Sequence, residues 1–195
     1  MNFHILVKPI IYFTALLILS SCSVDFKKYF ASTETKMREA WPRTNFDKRS
    51  INLDEIVFQA VKRDGIPPIH YPKFQKSKSV TWLNLREPVI VVEYKNNAKA
   101  YPLQIMIFHE IVTDTINNIP IAVTFCPLCN ASLVYNRSVA GKTLYFGVSG
   151  SLRKSDLVMY DHQTNSWWQQ FTGTGIVGDY TGTQLELIPS KVIAF

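Results

Sequence analysis

Two thiols three positions apart, in Thr124-Phe125-Cys126-Pro127-Leu128-Cys129-Asn130, are the clearest chemistry in this sequence. Both sulfurs can face one point if the chain turns between them. Pro127 presets such a turn by fixing its own φ, and Asn130 tolerates the positive φ with which cysteine knuckles close. The sequence has three cysteines, and the third, Cys22, lies far away. A second Cys-x-x-Cys pair to complete a zinc knuckle is therefore absent. A metal held here has to recruit an imidazole, a thioether or a carboxylate, and two soft thiolates joined by such a donor suit copper(I) or zinc. His109 is the leading third ligand, with His162, His70 and Met106 as outsiders. Two other uses stand beside metal binding: a redox pair cycling between dithiol and disulfide, and a plain structural disulfide bracing the turn. Ala131–Tyr135 alternates like a strand instead of opening a helix, which weakens the analogy with thioredoxin-type redox sites.

The case for His109 is one of register. Ile111–Ile116 and Ile119–Phe125 alternate around Asn117-Asn118, a pair suited to a tight hairpin, so the start of the first strand should return beside the end of the second. That brings His109 close to Cys126, where it is either a ligand or a core histidine that hydrogen-bonds a turn. A His-Glu pair upstream of Cys-x-x-Cys also occurs in zinc deaminases, but Glu110 adjoins His109 instead of standing two residues on, and Pro127 follows the first cysteine instead of preceding it.

Ser151-Leu152-Arg153-Lys154 matches the S-x-x-K of penicillin-binding enzymes without their supporting motifs. Arg153 and Asp156, in a polar loop after Gly147 and Gly150, are instead candidates for ligand binding, with Arg153 meeting an anion. Trp167 and Trp168 are candidates too. Adjacent residues on a strand point to opposite faces, so one tryptophan is expected in the core and the other exposed or in a groove, where it would stack on a sugar or peptide; packing alone is the other account of the pair.

The elements that carry these residues follow from periodicity. Leu53, Ile56, Val57 and Ala60 predict a short helix from Asn52 or Asp54 to Val61, stopped by Asp64-Gly65 and Pro67-Pro68. From Glu87 the period becomes two. Strands are expected at Val89–Tyr94 and Ala98–Tyr101 about Asn96-Asn97, then a helical turn over Pro102–Phe108 and the hairpin above. Further strands are expected at Ser132–Tyr135, Thr143–Val148, Leu157–Tyr160, Ser166–Phe171 and Gln184–Ile188. Turns at such short intervals leave no room for parallel crossovers. The fold class is therefore β-dominated α+β, with antiparallel strands, hairpins and a few short helices.

The N-terminus addresses the chain. Ile10–Leu19 is an apolar run of ten residues, too short to span a bilayer, which needs about 20. It ends at Leu19-Ser20-Ser21-Cys22, which looks like a bacterial lipobox. Residues 1–21 are thus expected to be a cleaved signal peptide and Cys22 a lipidated anchor to the membrane. Ser23 after the cysteine directs such lipoproteins to the outer membrane, facing the periplasm. Residues 22–50 read as a tether, with some helix around Thr33–Trp41, and residues 51–195 as a single β-rich domain. Composition agrees with a globular protein, with 47% hydrophobic and 18% charged residues. The net charge of +6 is spread among acidic residues, with no long basic run, which argues against nucleic acid as a partner.

Asp64-Gly65-Ile66-Pro67-Pro68, Glu87–Ile90, Ala98–Leu103, His109–Thr115, Phe125–Cys129, Phe146–Gly150, Leu152–Asp161 and Ser166–Gly173 together resemble one bacterial family, the domain of unknown function 3179. The resemblance covers roughly Asp64 to the end and implies no particular activity. Family members tend to continue further, with a later segment echoing Ala98-Lys99-Ala100-Tyr101-Pro102, so this chain resembles a truncated member. The other reading of Val192-Ile193-Ala194-Phe195 is a last strand.

Overall fold

The structure is a computed structural model and describes residues 32–195. The signal peptide, Cys22 and the first part of the expected tether lie outside the described residues. Helix α1 (Thr33–Ala40) is capped by Ser32, whose side chain accepts the Thr35 N–H, and braced by Glu34 and Arg38 one turn apart. Strand β1 (Ile56–Val57) follows. The hairpin of β2 (Pro88–Tyr94) and β3 (Asn97–Pro102) leads into helix α2 (Leu103–His109). Next come β4 (Ile111–Ile116), β5 (Ile119–Cys126), β6 (Ala131–Asn136), and the short pair β7 (Ser138–Val139) and β8 (Lys142–Thr143). The chain continues through β9 (Phe146–Arg153), β10 (Asp156–Asp161), β11 (Trp167–Gln169), β12 (Thr174–Val177), β13 (Leu187–Ile188) and β14 (Ser190–Ala194). Every strand pairing is antiparallel, and the fold is the β-dominated α+β class the sequence implies. Among the described residues no helix is long and apolar enough to cross a membrane.

Three sheets stack in layers. The middle one runs β13-β6-β5-β4, and alternation along β5 feeds both of its faces. Ile121, Val123 and Phe125 pack toward the β14-β2-β3 sheet and α2, against Ile90, Val92 and Met106. Ala122 and Cys126 pack the other way, against Val148, Leu157, Met159 and Trp168 of the five-stranded sheet β1-β9-β10-β11-β12. Burial on both faces is why β5 reads as a nearly unbroken apolar run.

The far face of the five-stranded sheet is covered by the segment from α1 to β1. Met37, Trp41, Phe46, Leu53 and Ile56 pack there with Val158, Tyr160, Trp167 and Val177. Residues 33–50, expected as a tether, are therefore part of the packed body. Their apolar side chains are too widely spaced to show a period, yet each enters the same core. The helix expected from Asn52 to Val61 is instead a 3-10 turn at Leu53–Glu55, held by a reciprocal cap between Asn52 and Glu55, and β1 then pairs with β9. In the first hairpin Tyr94 pairs with Asn97, so the turn is Lys95-Asn96, one residue earlier than expected, with Lys95 at positive φ. The Asn117-Asn118 turn is as expected, both residues lying at positive φ. The last residues form β14 on β2, from Ser190 opposite Val92 to Ala194 opposite Pro88.

Candidate functional site

Cys126 ends β5 and pairs with Ala131 at the start of β6, so Pro127–Asn130 are the tip of a hairpin, with Asn130 at positive φ. A second hairpin tip faces it. Arg153 of β9 pairs with Asp156 of β10 across Lys154 and Ser155, both at positive φ. The Ser155 carbonyl lies 3.8 Å from the Cys126 sulfur, and Cys129 Sγ lies 3.3 Å from Asp156 Oδ1. One donor atom each from Cys126, Cys129 and Asp156 thus falls within 4.8 Å of the others. Cys126 and Asp156 are buried, Cys129 is exposed, and both thiols are free.

The carboxylate is held in place. Its Oδ2 accepts from the Gln169 amide nitrogen and from the Phe171 N–H at 2.9 Å, leaving Oδ1 for the cysteines. Gln169 is held in turn by Arg153, whose Nη1 donates to Gln169 Oε1 at 3.2 Å. Arg153 also makes a two-pronged pair with Glu55, at 2.7 and 3.1 Å, and this pair holds the Glu55 carboxyl below its ordinary value. No cation touches the three donors themselves. The Cys129 thiol is pushed up to about 12, first by local burial and then by its hydrogen bonds to Cys126 and Asp156. The residue as a whole is exposed, so this burial belongs to the sulfur's own surroundings. Cys126 and Cys129 each donate through sulfur, to the Ser155 carbonyl and to Asp156, and a metal held here would take the place of those protons.

The structure does not bring the expected imidazoles here. His109 ends α2, and its Nδ1 lies 2.7 Å from the Pro67 carbonyl. The strand register expected for it does hold, since Phe125 N–H donates to the Glu110 carbonyl. The helix end turns the preceding side chain away, and the chain re-enters the sheet through Glu110 at φ 55°. Burial pushes the Glu110 carboxyl up to about 7. Met106 is core, packed with Val123 and Ile90. His162 stacks on Tyr160, with ring centroids 5.1 Å apart, and meets His70 edge-on at 5.2 Å. His70 is hydrogen-bonded to Thr113, and Asp64 accepts from the Tyr160 hydroxyl. Partial burial keeps both imidazoles below their ordinary value, most strongly toward the neutral form.

Two other expectations are corrected. Arg153 is committed to Glu55 and Gln169 and is not free to meet an external anion. Trp167 and Trp168 do point to opposite faces, but both are fully buried, because the α1–β1 segment covers one face and the middle sheet the other. Asp156 is among the candidates read from the sequence, which gives no sign that Gln169 and Phe171 N–H hold it or that Glu55 lies behind Arg153. The tight Arg153-Lys154-Ser155-Asp156 turn is the signal that leads to Asp156.

None of the curated proteins and none of the solved structures compared with this chain matches it. Residues 63–195 match the family described as "Protein of unknown function (DUF3179)", which includes both hairpin tips and Gln169. The match spans more than half of the chain, and the chain belongs to that family.

Proposed function

We propose that this chain is an envelope lipoprotein carrying a zinc site at Cys126, Cys129 and Asp156. The observation that carries the metal reading is the convergence of three donor atoms within 4.8 Å on two facing hairpin tips, with the carboxylate already oriented by Gln169 and Phe171 N–H. A carboxylate oxygen beside two thiolates favours zinc over copper(I), which prefers sulfur and imidazole throughout. Three protein donors leave a fourth tetrahedral position on the exposed Cys129 side, the arrangement that admits water or a substrate group. A redox pair is less well supported, since a Cys129 thiol pushed up to about 12 is a poor source of thiolate at neutral pH. The lipoprotein part rests on Ile10–Leu19 followed by Leu19-Ser20-Ser21-Cys22.

Elemental analysis of the full chain purified without chelator, with thiol titration on the same sample, tests the site. One zinc per chain, lost in Cys126→Ser and in Asp156→Asn, is expected. Cobalt(II) replacing zinc should give sulfur-to-metal absorption that Cys129→Ser diminishes. A metal-free protein with Cys126 and Cys129 joined in an inert disulfide overturns the reading and leaves a braced turn. Fatty-acid labelling that persists in Cys22→Ser overturns the lipoprotein part.

A further inference from the structure

A second, separate feature lies on the opposite side of the molecule from the five-stranded sheet. Between Ile69 and β2 the chain runs through residues 70–87 with only one 3-10 turn, Ser77–Ser79. Loops of that length without structure of their own are usually binding loops or lids. This one arches over the outer face of the β14-β2-β3 sheet and encloses a cavity of about 780 Å³. The volume lies inside the range of small-molecule sites, roughly 300 to 1,000 Å³.

The walls are mostly apolar, with Val89, Val91 and Ala100 from the sheet and Phe74, Val80 and Trp82 from the arch. The lining holds three lysines, Lys73, Lys76 and Lys99, and no aspartate or glutamate. Lys99 is neutralised from behind by Asp114 at 2.7 Å. Lys73 and Lys76 have no carboxylate partner among the described residues. The arch is attached lightly. Among the described residues its hydrogen bonds from Tyr71 to Arg86 are local, the rest of its hold being side-chain packing. Leu83 is buried against Val89 and Val91 with Val80 beside it, and the half-exposed Phe74 lies edge-on to Tyr101 at 5.6 Å and under the Lys99 ammonium at 4.5 Å. A cover held by packing and not by backbone pairing is among the parts of a fold that open most readily.

We propose that this cavity binds a single-chain anionic amphiphile, its hydrocarbon chain lying between the arch and the sheet and its carboxylate or phosphate head at Lys73 and Lys76. Apolar walls select the chain. Two ammonium groups without an ion-pair partner, in a lining that holds no aspartate or glutamate side chain, select the sign of the head.

Trp82 lies on the cavity wall, whereas Trp41, Trp167 and Trp168 are fully buried in the other half of the molecule, so quenching of Trp82 reports entry. Brominated stearate, brominated stearyl alcohol and a brominated lysophosphatidate would be titrated into the full chain. At least one anionic probe should bind tenfold or more tighter than the alcohol, and comparing the two anions tells a carboxylate head from a phosphate one. Lys73→Gln with Lys76→Gln should erase that preference while the alcohol still binds. Ala100→Trp should abolish binding of all three. If that variant fails to fold, the lysine pair, whose side chains are exposed, still decides. Equal affinity for alcohol and acid, an unchanged preference in the double variant, or no quenching by any probe overturns the proposal. The last outcome would mean that the cavity is filled by protein, from this chain or a second copy.

Discussion

The hairpin-tip cluster and the histidine cluster differ in what their polar atoms still lack. Around Tyr160 the groups pack on one another: Asp64 accepts the hydroxyl's hydrogen bond, Arg63 covers one side of the ring at 4.1 Å, His162 stacks on it, and His70 is hydrogen-bonded to Thr113. At the tips two sulfurs and a carboxylate oxygen share a space without a cation. Residue type alone ranks the first region as the better metal site, because it holds the imidazoles. Partner accounting reverses the order. The imidazole rings of His70 and His162 are fixed by packing on aromatic neighbours, whereas the two sulfurs at the tips converge on one carboxylate with only weak hydrogen bonds, from Cys126 to the Ser155 carbonyl and from Cys129 to Asp156.

Four measurements would break or sharpen that contrast. The largest effect is expected from Trp41→Ala, since Trp41 packs on both Tyr160 and Trp167, with centroids 4.9 and 5.4 Å away. Chemical denaturation should show a loss of about 3–5 kcal/mol, with zinc stoichiometry retained under native conditions. A loss below about 1 kcal/mol would return residues 33–50 to the role of a tether.

Glu110 comes next. Its carboxyl is raised from 4.5 to about 7, so the folded state holds that proton more tightly than the unfolded state does. The associated stability is fully present below about pH 4.5 and is lost as pH rises through 7, at most about 3 kcal/mol. Glu110→Gln should therefore match the parent at pH 4 and exceed it at pH 8. A stability difference independent of pH would show that burial does not govern this group.

Gln169→Ala should weaken zinc binding by roughly ten- to a hundredfold through a loosened Asp156, the usual cost of removing a ligand's support. Gln169→Glu should not restore it, because a second acceptor cannot donate to Asp156. Unaltered affinity in the alanine variant would show that Phe171 N–H alone orients the carboxylate. The smallest effect is expected from His109→Ala and His162→Gln, each leaving zinc affinity within about twofold. A drop of tenfold or more in either would put an imidazole back into the coordination shell and dissolve the distinction between the two clusters.

Much of this was legible before any coordinates. The β4–β5 hairpin follows from alternation and from Asn117-Asn118, and the turn at Cys126–Asn130 follows from Pro127 and Asn130, because local backbone chemistry decides both. Asp156 was half legible: its turn could be read, but its partners come from β11 and from Glu55, about 100 residues upstream. For His109 strand register predicts where the backbone goes and not which way the last residue of a helix turns, and its bond to the Pro67 carbonyl favours the turn-bonding role over ligation. The two tryptophans divide in the same way between what is local and what is tertiary. Alternation gives opposite faces, whereas the cover on each face is a tertiary fact. Met37, Trp41 and Phe46 gave no warning, since isolated apolar residues in a charged stretch make no moment, and their common destination is visible only once the sheet exists.

The family match starts at residue 63, whereas the layer that covers Val158, Tyr160 and Trp167 is built from residues before it. Homology and folding therefore divide this chain at different places. A version begun at the family boundary would present an indole, a phenol ring and aliphatic side chains on an open sheet face, a surface suited to self-association. In this chain the packed core reaches further toward the N-terminus than the recognisable family segment, and a boundary drawn from sequence similarity alone would cut through the hydrophobic interior.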